Sequence, residues 1–166
     1  MKNKRNNLFE TNSSSVHAIV IDKHSYTGDL PDLGVSLIGD NTEFGWENDS
    51  YSDTYSKLQY LISCLNDVYW GEDAEEKRTR LKKKFEGLMS ELGVESVEYG
   101  TGGVDHGYDA IDFVEFVLRD LDTLKRYLFS SKSYVVTGND NDECSVFDVI
   151  NQEENNPDVD IFEKGN

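Results

Sequence analysis

Only two of the 166 residues are cysteines, Cys64 and Cys144, and neither stands in a CxxC pair or beside a histidine. That scarcity excludes a disulfide scaffold and a zinc site as the organising feature. Long apolar runs are also missing: none approaches the ~20 residues that cross a bilayer. The basic start, Met1-Lys2-Asn3-Lys4-Arg5, is followed only by Leu8-Phe9 before polar residues resume, so the apolar stretch of a secretion signal is lacking and a reducing, cytoplasmic location is expected. Bases are few, with 16 Lys and Arg against 33 Asp and Glu and a formal charge of −17. Free nucleic acid and anionic membranes carry the same sign and are disfavoured as partners, whereas a basic protein surface is favoured. Repeats, linkers and any complete catalytic or cofactor motif are absent as well, so no cofactor is called for.

With 37% hydrophobic and 11% aromatic residues, the chain can close one modest core. Val16-His17-Ala18-Ile19-Val20-Ile21 is apolar on both faces apart from His17, the mark of an interior strand with His17, Ile19 and Ile21 on one side. Val35-Ser36-Leu37-Ile38 and Glu43-Phe44-Gly45-Trp46 suggest a short hairpin around Gly39-Asp40-Asn41. Leu58, Leu61, Ile62, Leu65, Val68 and Tyr69 form one stripe of a helix over about 53–69. A second helix is expected from Asp73 to Leu92, stopped by Gly93, and a third from about Asp109 to Phe129. Val94 to Tyr99 fits a short strand. Ser133 to Thr137 and Ser145 to Ile150, flanking Gly138-Asn139-Asp140-Asn141-Asp142, suggest a closing hairpin. The expected fold is a single α+β domain over 1–150, a small, mainly antiparallel sheet covered by about three helices, followed by an acidic flexible tail over 151–166.

The segment Glu10-Thr11-Asn12-Ser13-Ser14-Ser15-Val16-His17 concentrates the chemistry. Hydroxyls and backbone N–H groups in a loop can cradle an anion, which makes Thr11, Asn12, Ser13, Ser14 and Ser15 candidate ligand-binding residues; a hydroxyl-rich turn bonding its own backbone is the plain alternative. Neither glycine spacing nor a following helix matches a Walker loop. Only Ser13 or Ser15 can share a strand face with His17. Asp105 and His106 lie in the glycine-rich stretch 100–108, which allows close approach to a ligand or to another loop. His17, Asp105 and His106 are the candidate proton-handling residues, set against structural roles as a bonded core histidine and a helix-entry loop. Trp46 is a stacking platform for a base or an ordinary core aromatic. Asp140, Asp142 and Glu143 gather at a turn without the pattern of a calcium loop, so no metal site is assigned. Lys77, Arg78, Arg80, Lys82, Lys83 and Lys84 form a basic helix face that Glu75, Glu76 and Glu86 can balance.

Glu10-Thr11-Asn12-Ser13-Ser14-Ser15-x-His17, together with Phe44-Gly45-Trp46-Glu47, Asp105-His106 and Gly138-Asn139-Asp140-Asn141, resembles a group of small phage and prophage proteins of unassigned function. The resemblance implies a viral or mobile-element setting, and hence the cytoplasm of a host cell, and brings no reaction with it.

Two functions follow. In the first, an anti-defence or host-takeover accessory protein binds and inhibits a basic, nucleic-acid-handling host protein. Its acidic patches would be Asp29, Asp32, Asp40, Glu43, Glu47, Asp49 and Asp53, and Asp140, Asp142, Glu143 and Asp148. In the second, an enzyme or nucleotide-binding protein acts on a small phosphorylated molecule through the Ser13–Ser15 loop, His17 and Asp105-His106. Convergence of the serine loop, His17, Asp105 and His106 on one concavity favours the second; their scattering, with the carboxylates in a continuous strip, favours the first.

Overall fold

The computed structural model describes residues 15–45, 47–68, 73–105, 110–139 and 145–164. Among them, strand β1 (Ser15–Asp22) is buried along its whole length. It lies inside a four-stranded antiparallel sheet of order β4-β7-β1-β8, with β4 at Asp49–Tyr51, β7 at Tyr134–Asn139 and β8 at Val159–Lys164. This is the interior position that an unbroken Val/Ile run requires. Side chains alternate across a strand. Ile19 and Ile21 therefore join the main core, while Val16 and Ala18 pack with Val136 and Val146 in a smaller one on the opposite face.

Helix α1 (Thr54–Asn66) is started by Asp53, whose carboxylate accepts the Ser56 N–H at 2.9 Å. Its predicted stripe of Leu58, Leu61, Ile62 and Leu65 is buried, and so are Lys57, Gln59, Tyr60, Ser63 and Cys64. The helix is enclosed on nearly every side because a second layer covers its outer face. In that layer β2 (Ser36–Ile38) runs parallel to β5 (Ser96–Glu98), and β3 (Glu43–Phe44) runs parallel to β6 (Gly103–Val104). Polar side chains of α1 bond the crossing backbones: Gln59 accepts from Asp40 N–H and donates to the Ile38 carbonyl, and Asn66 donates to the carbonyls of Tyr99 and Gly102. Helix α2 (Ala74–Glu91) turns Leu81, Phe85, Leu88 and Met89 inward.

Several expectations are corrected. The segments 35–38 and 43–46 do not pair with each other as a hairpin; β2 and β3 each pair with a distant partner, which periodicity within one segment cannot reveal. The third helix is two: α3 (Ile111–Val117) and α4 (Leu121–Phe129). Asp120 takes an extended backbone and accepts the Thr123 N–H at 2.7 Å, so a cap interrupts a stripe whose spacing runs through it unbroken. Residues 145–153 form helix α5 (Ser145–Glu153), not the last strand of a hairpin. Val146, Val149 and Ile150, at i, i+3 and i+4, pack on the smaller core. The acidic end is no free tail: β8 pairs with β1 along His17–Asp22. No helix among the described residues is long and apolar enough to cross a membrane.

Candidate functional site

The antiparallel register sets four residues in one row across the sheet: Asp49 on β4 opposite Thr137 on β7, Thr137 opposite His17 on β1, and His17 opposite Lys164 on β8. Directly paired residues share a face. The row therefore looks toward α1, as does Ser15, two residues before His17.

Polar contacts knit this end of the sheet. The His17 Nδ1 lies 2.9 Å from the Tyr60 hydroxyl on α1. Lys164 Nζ donates to the Ser15 Oγ at 2.5 Å and approaches the Ser15 carbonyl oxygen at 3.4 Å. The Ser15 hydroxyl in turn donates to the Asp105 carbonyl oxygen at 3.1 Å. Ser15, His17 and Lys164 all have no exposed surface (0%). Burial, followed by the Lys164 charge, pulls the His17 pKa from 6.5 down to about 3, although the Gly45 carbonyl acts the other way. The ring is neutral at any ordinary pH. Burial holds the Tyr60 hydroxyl and the Cys64 thiol in their protonated forms, so Cys64 is an inert core thiol. Among the described residues the other ring nitrogen, Nε2, is buried and makes no hydrogen bond of ordinary geometry.

The opposite end of β1 carries an equally polar cluster with a different character. Lys57 Nζ donates to the carbonyls of Ser130 and Ser133 at 2.9 and 3.0 Å, closing the carboxyl end of α4. Arg126 Nη1 donates to the Asp22 carbonyl at 3.0 Å, and its Nε faces the Asp122 carboxylate at 3.3 Å. The Ser130 hydroxyl donates to the Asp22 carboxylate at 2.7 Å. Burial opposes the Asp22 charge, but hydrogen bonds from Ser130 and His24 outweigh it and hold the carboxyl below its ordinary value. Each cation there faces an acceptor, which makes this a structural tie between β1, α1 and α4.

Of the candidate residues, Ser15 and His17 share one face of β1, and Asp105 meets Ser15 through its backbone carbonyl. Thr11, Asn12, Ser13, Ser14, Trp46, His106, Asp140, Asp142 and Glu143 lie outside the described residues. The glycine-rich stretch is used for close approach to another loop: a Cβ on Gly39 would fall 2.6 Å from the Tyr99 carbonyl carbon, and one on Gly100 would fall 2.5 Å from the Asp40 oxygen.

Several acids of the first predicted patch hold local structure. Asp32 accepts from Gly34 N–H, Asp40 from Thr42 N–H, Asp49 from Ser50 N–H, and Asp53 caps α1. Asp29, Glu43 and Glu47 are exposed, and Asp148 is exposed on α5, across the sheet from α1. The basic face of α2 is balanced by its neighbours, with Lys77 and Arg80 on Glu115 and Arg78 on Glu75. Sequence reasoning missed Lys164 and Tyr60. The available signals were a lone lysine closing Val159-Asp160-Ile161-Phe162-Glu163-Lys164, and the row Lys57, Tyr60, Cys64 at i, i+3 and i+7 beside the apolar stripe.

Comparisons with protein-family models, with curated protein sequences and with solved structures find no match to this chain.

Proposed function

We propose that the protein binds, and acts on, a small phosphorylated molecule at the amino-terminal end of β1, in the cytoplasm of a phage-infected host. The observation that carries this reading is a fully buried His17, whose Nε2 makes no hydrogen bond of ordinary geometry among the described residues, beside a fully buried Lys164. A buried polar atom without a partner costs about 1–3 kcal/mol, and native interiors seldom retain one without a reason. Lys164 supplies positive charge, Ser15 links it to the Asp105 carbonyl, and the neutral imidazole supplies a group able to move a proton. Ser13, Ser14 and His106 adjoin this cluster in sequence and belong to the same reading. A net charge of −17 works against polyanionic substrates, while one enclosed lysine suffices for a small anion.

The test is a thermal-shift and calorimetric screen of mono-, di- and cyclic nucleotides with sugar phosphates. A ligand at one hundred times its Kd stabilises the fold by about 2.7 kcal/mol. His17→Ala and Lys164→Met should abolish the shift, and His24→Ala should retain it. A panel with no stabilising member sinks the proposal.

A second reading is favoured by residues 25–56, which hold seven acids and no Lys or Arg: inhibition of a basic, nucleic-acid-handling host protein. Asp29, Glu43 and Glu47 probe it best, since among the described residues they hold no turn or cap. Reversing all three charges should weaken salt-sensitive binding to such a protein with the melting temperature unchanged. Undiminished binding removes this reading.

A further inference from the structure

We propose that the outer edge of β8 is a docking strip for an extended, basic segment of another protein, which joins the four-stranded sheet as one more strand. This contact rests on the second reading above, a basic protein partner, and deepens it by a strand that none of that reading's acids occupies.

β8 closes the sheet order β4-β7-β1-β8, and among the described residues no strand flanks its other side. Its exposure fits that place: Asp160, Ile161, Phe162 and Glu163 in succession all keep exposed surface, where β1 keeps none. Side chains alternate across a strand, so exposure at successive positions marks an uncovered edge and not merely an uncovered face.

The register decides which backbone groups that edge offers. Val159 stands opposite Asp22, which sets Asp158 opposite Lys23, and the Lys23 N–H donates to the Asp158 carbonyl at 2.8 Å. Bonded pairs alternate along an antiparallel ladder. Asp160, Phe162 and Lys164 therefore turn their N–H and C=O groups toward β1, and Val159, Ile161 and Glu163 turn theirs outward. The Val159 N–H goes to the Asn156 carbonyl at 3.5 Å, as that parity requires. Among the described residues nothing bonds the backbone of Ile161 or Glu163 on the outer side. Their N–H and C=O groups are the template on which an extended segment can pair.

Charge selects the occupant. The charged side chains with exposed surface along this segment are Asp158, Asp160 and Glu163, since Lys164 is fully buried. Lys23 approaches Asp160 and His24 approaches Asp158, each at 3.7 Å, while Glu163 has no ion pair among the described residues. A cation placed opposite Glu163 gains a cross-strand partner of opposite sign. A second copy of the chain is disfavoured, because each copy carries −17 and brings the same acids to the edge.

The probe is a fluorescently labelled Thr-Lys-Val-Thr-Lys-Val peptide, its lysines spaced to stand opposite Glu163 and Asp160, titrated with the full chain by anisotropy. We expect binding that weakens as salt rises. Only alternate N–H groups of an added strand face β8, so N-methylation of one alternating set should weaken binding about tenfold or more, and methylation of the other set should change it by less than about twofold. Ile161→Pro removes an outward N–H and no bond to β1; it should weaken binding with the melting temperature close to that of the parent. Glu163→Lys, which leaves the backbone intact, should weaken it as well. Equal effects of the two methylated sets, or undiminished binding to both variants, reduce the contact to attraction by an acidic surface and overturn the docking strip. A peptide that does not bind at low salt also overturns it, and leaves the second reading to the reversal of Asp29, Glu43 and Glu47. Dimerisation that excludes the peptide and is lost in Ile161→Pro assigns the edge to a second copy and overturns the basic occupant.

Discussion

Gly100→Ala should be among the most damaging single-methyl additions in this molecule. Gly100 has φ +62, a left-handed conformation that costs an L-residue about 1–2 kcal/mol. The added Cβ would also lie 2.5 Å from the Asp40 carbonyl oxygen, with the Gly39 carbonyl oxygen nearer still. These are backbone atoms and cannot swing aside. Relief requires the 35–44 and 95–105 segments to part, against Gly39 N–H to Glu98 O at 2.6 Å and Gly102 N–H to Asp40 O at 3.1 Å. Loosening those two bonds costs about 1 kcal/mol each. The sum is about 3–4 kcal/mol, a large share of the 5–15 kcal/mol typical of a domain. It corresponds to a melting temperature lower by roughly 10 °C.

Two further glycines separate the contributions. Gly93 has φ +91 with no atom within 4 Å of an added Cβ, so Gly93→Ala reports conformational strain alone, about 1 kcal/mol. Gly87 lies inside α2 with the same open space, so Gly87→Ala should stabilise by about 0.5–1 kcal/mol. Urea unfolding of the three variants gives the ordering directly. A Gly100→Ala penalty no larger than that of Gly93→Ala would refute the close approach of the two backbones, and with it the placement of Asp105 beside Ser15.

Asp53→Ala and Asp120→Ala should each cost about 1 kcal/mol in urea unfolding, the usual loss of an N-cap. The backbone N–H groups of Ser56 and Thr123 hold these two carboxyls below their ordinary 3.8. Their contribution is therefore present above about pH 4 and is lost as pH falls through the folded-state values, so the variants should be less sensitive to acid than the parent. Lys57 runs in the opposite sense: burial lowers its pKa from 10.5 to about 8. Between these values the unfolded chain binds more protons, so Lys57 contributes stability that grows as pH rises. Stability of the parent minus that of Lys57→Met should increase from pH 8 to 9.5, and a flat difference would show the amine to be solvated.

What the sequence disclosed depended on how far apart the interacting residues lie. β1 declared itself because burial on both faces is written into consecutive residues, and α1 and α2 did so because a stripe needs only neighbours at i+3 and i+4. The errors came where local pattern underdetermines structure. Val146, Val149 and Ile150 suit a short strand or one helical face, and only the second core against Val16 and Ala18 decides between them. The stripe from Ile111 to Leu128 is continuous although Asp120 breaks the helix, because an aspartate that caps and one that faces solvent look alike in a stripe.

The candidate site shows the same division at longer range. Ser15 and His17 were legible because they adjoin an apolar strand, and Asp105 because of the glycines before it. Lys164 was not, since its partner stands 149 positions away and its segment reads as an acidic end. Yet the pairing is what gathers these polar residues into one buried cluster. Without Lys164, Ser15 and His17 are a hydroxyl and an imidazole at the mouth of a strand; opposite it, they flank an enclosed ammonium. Burial of the Lys164 ammonium costs solvation, which its bonds to the Ser15 hydroxyl and carbonyl oxygens offset in part. The two enclosed lysines are held alike by acceptors far away in the chain, Lys164 by Ser15 and Lys57 by the carbonyls of Ser130 and Ser133, and neither pairing is written into a local pattern.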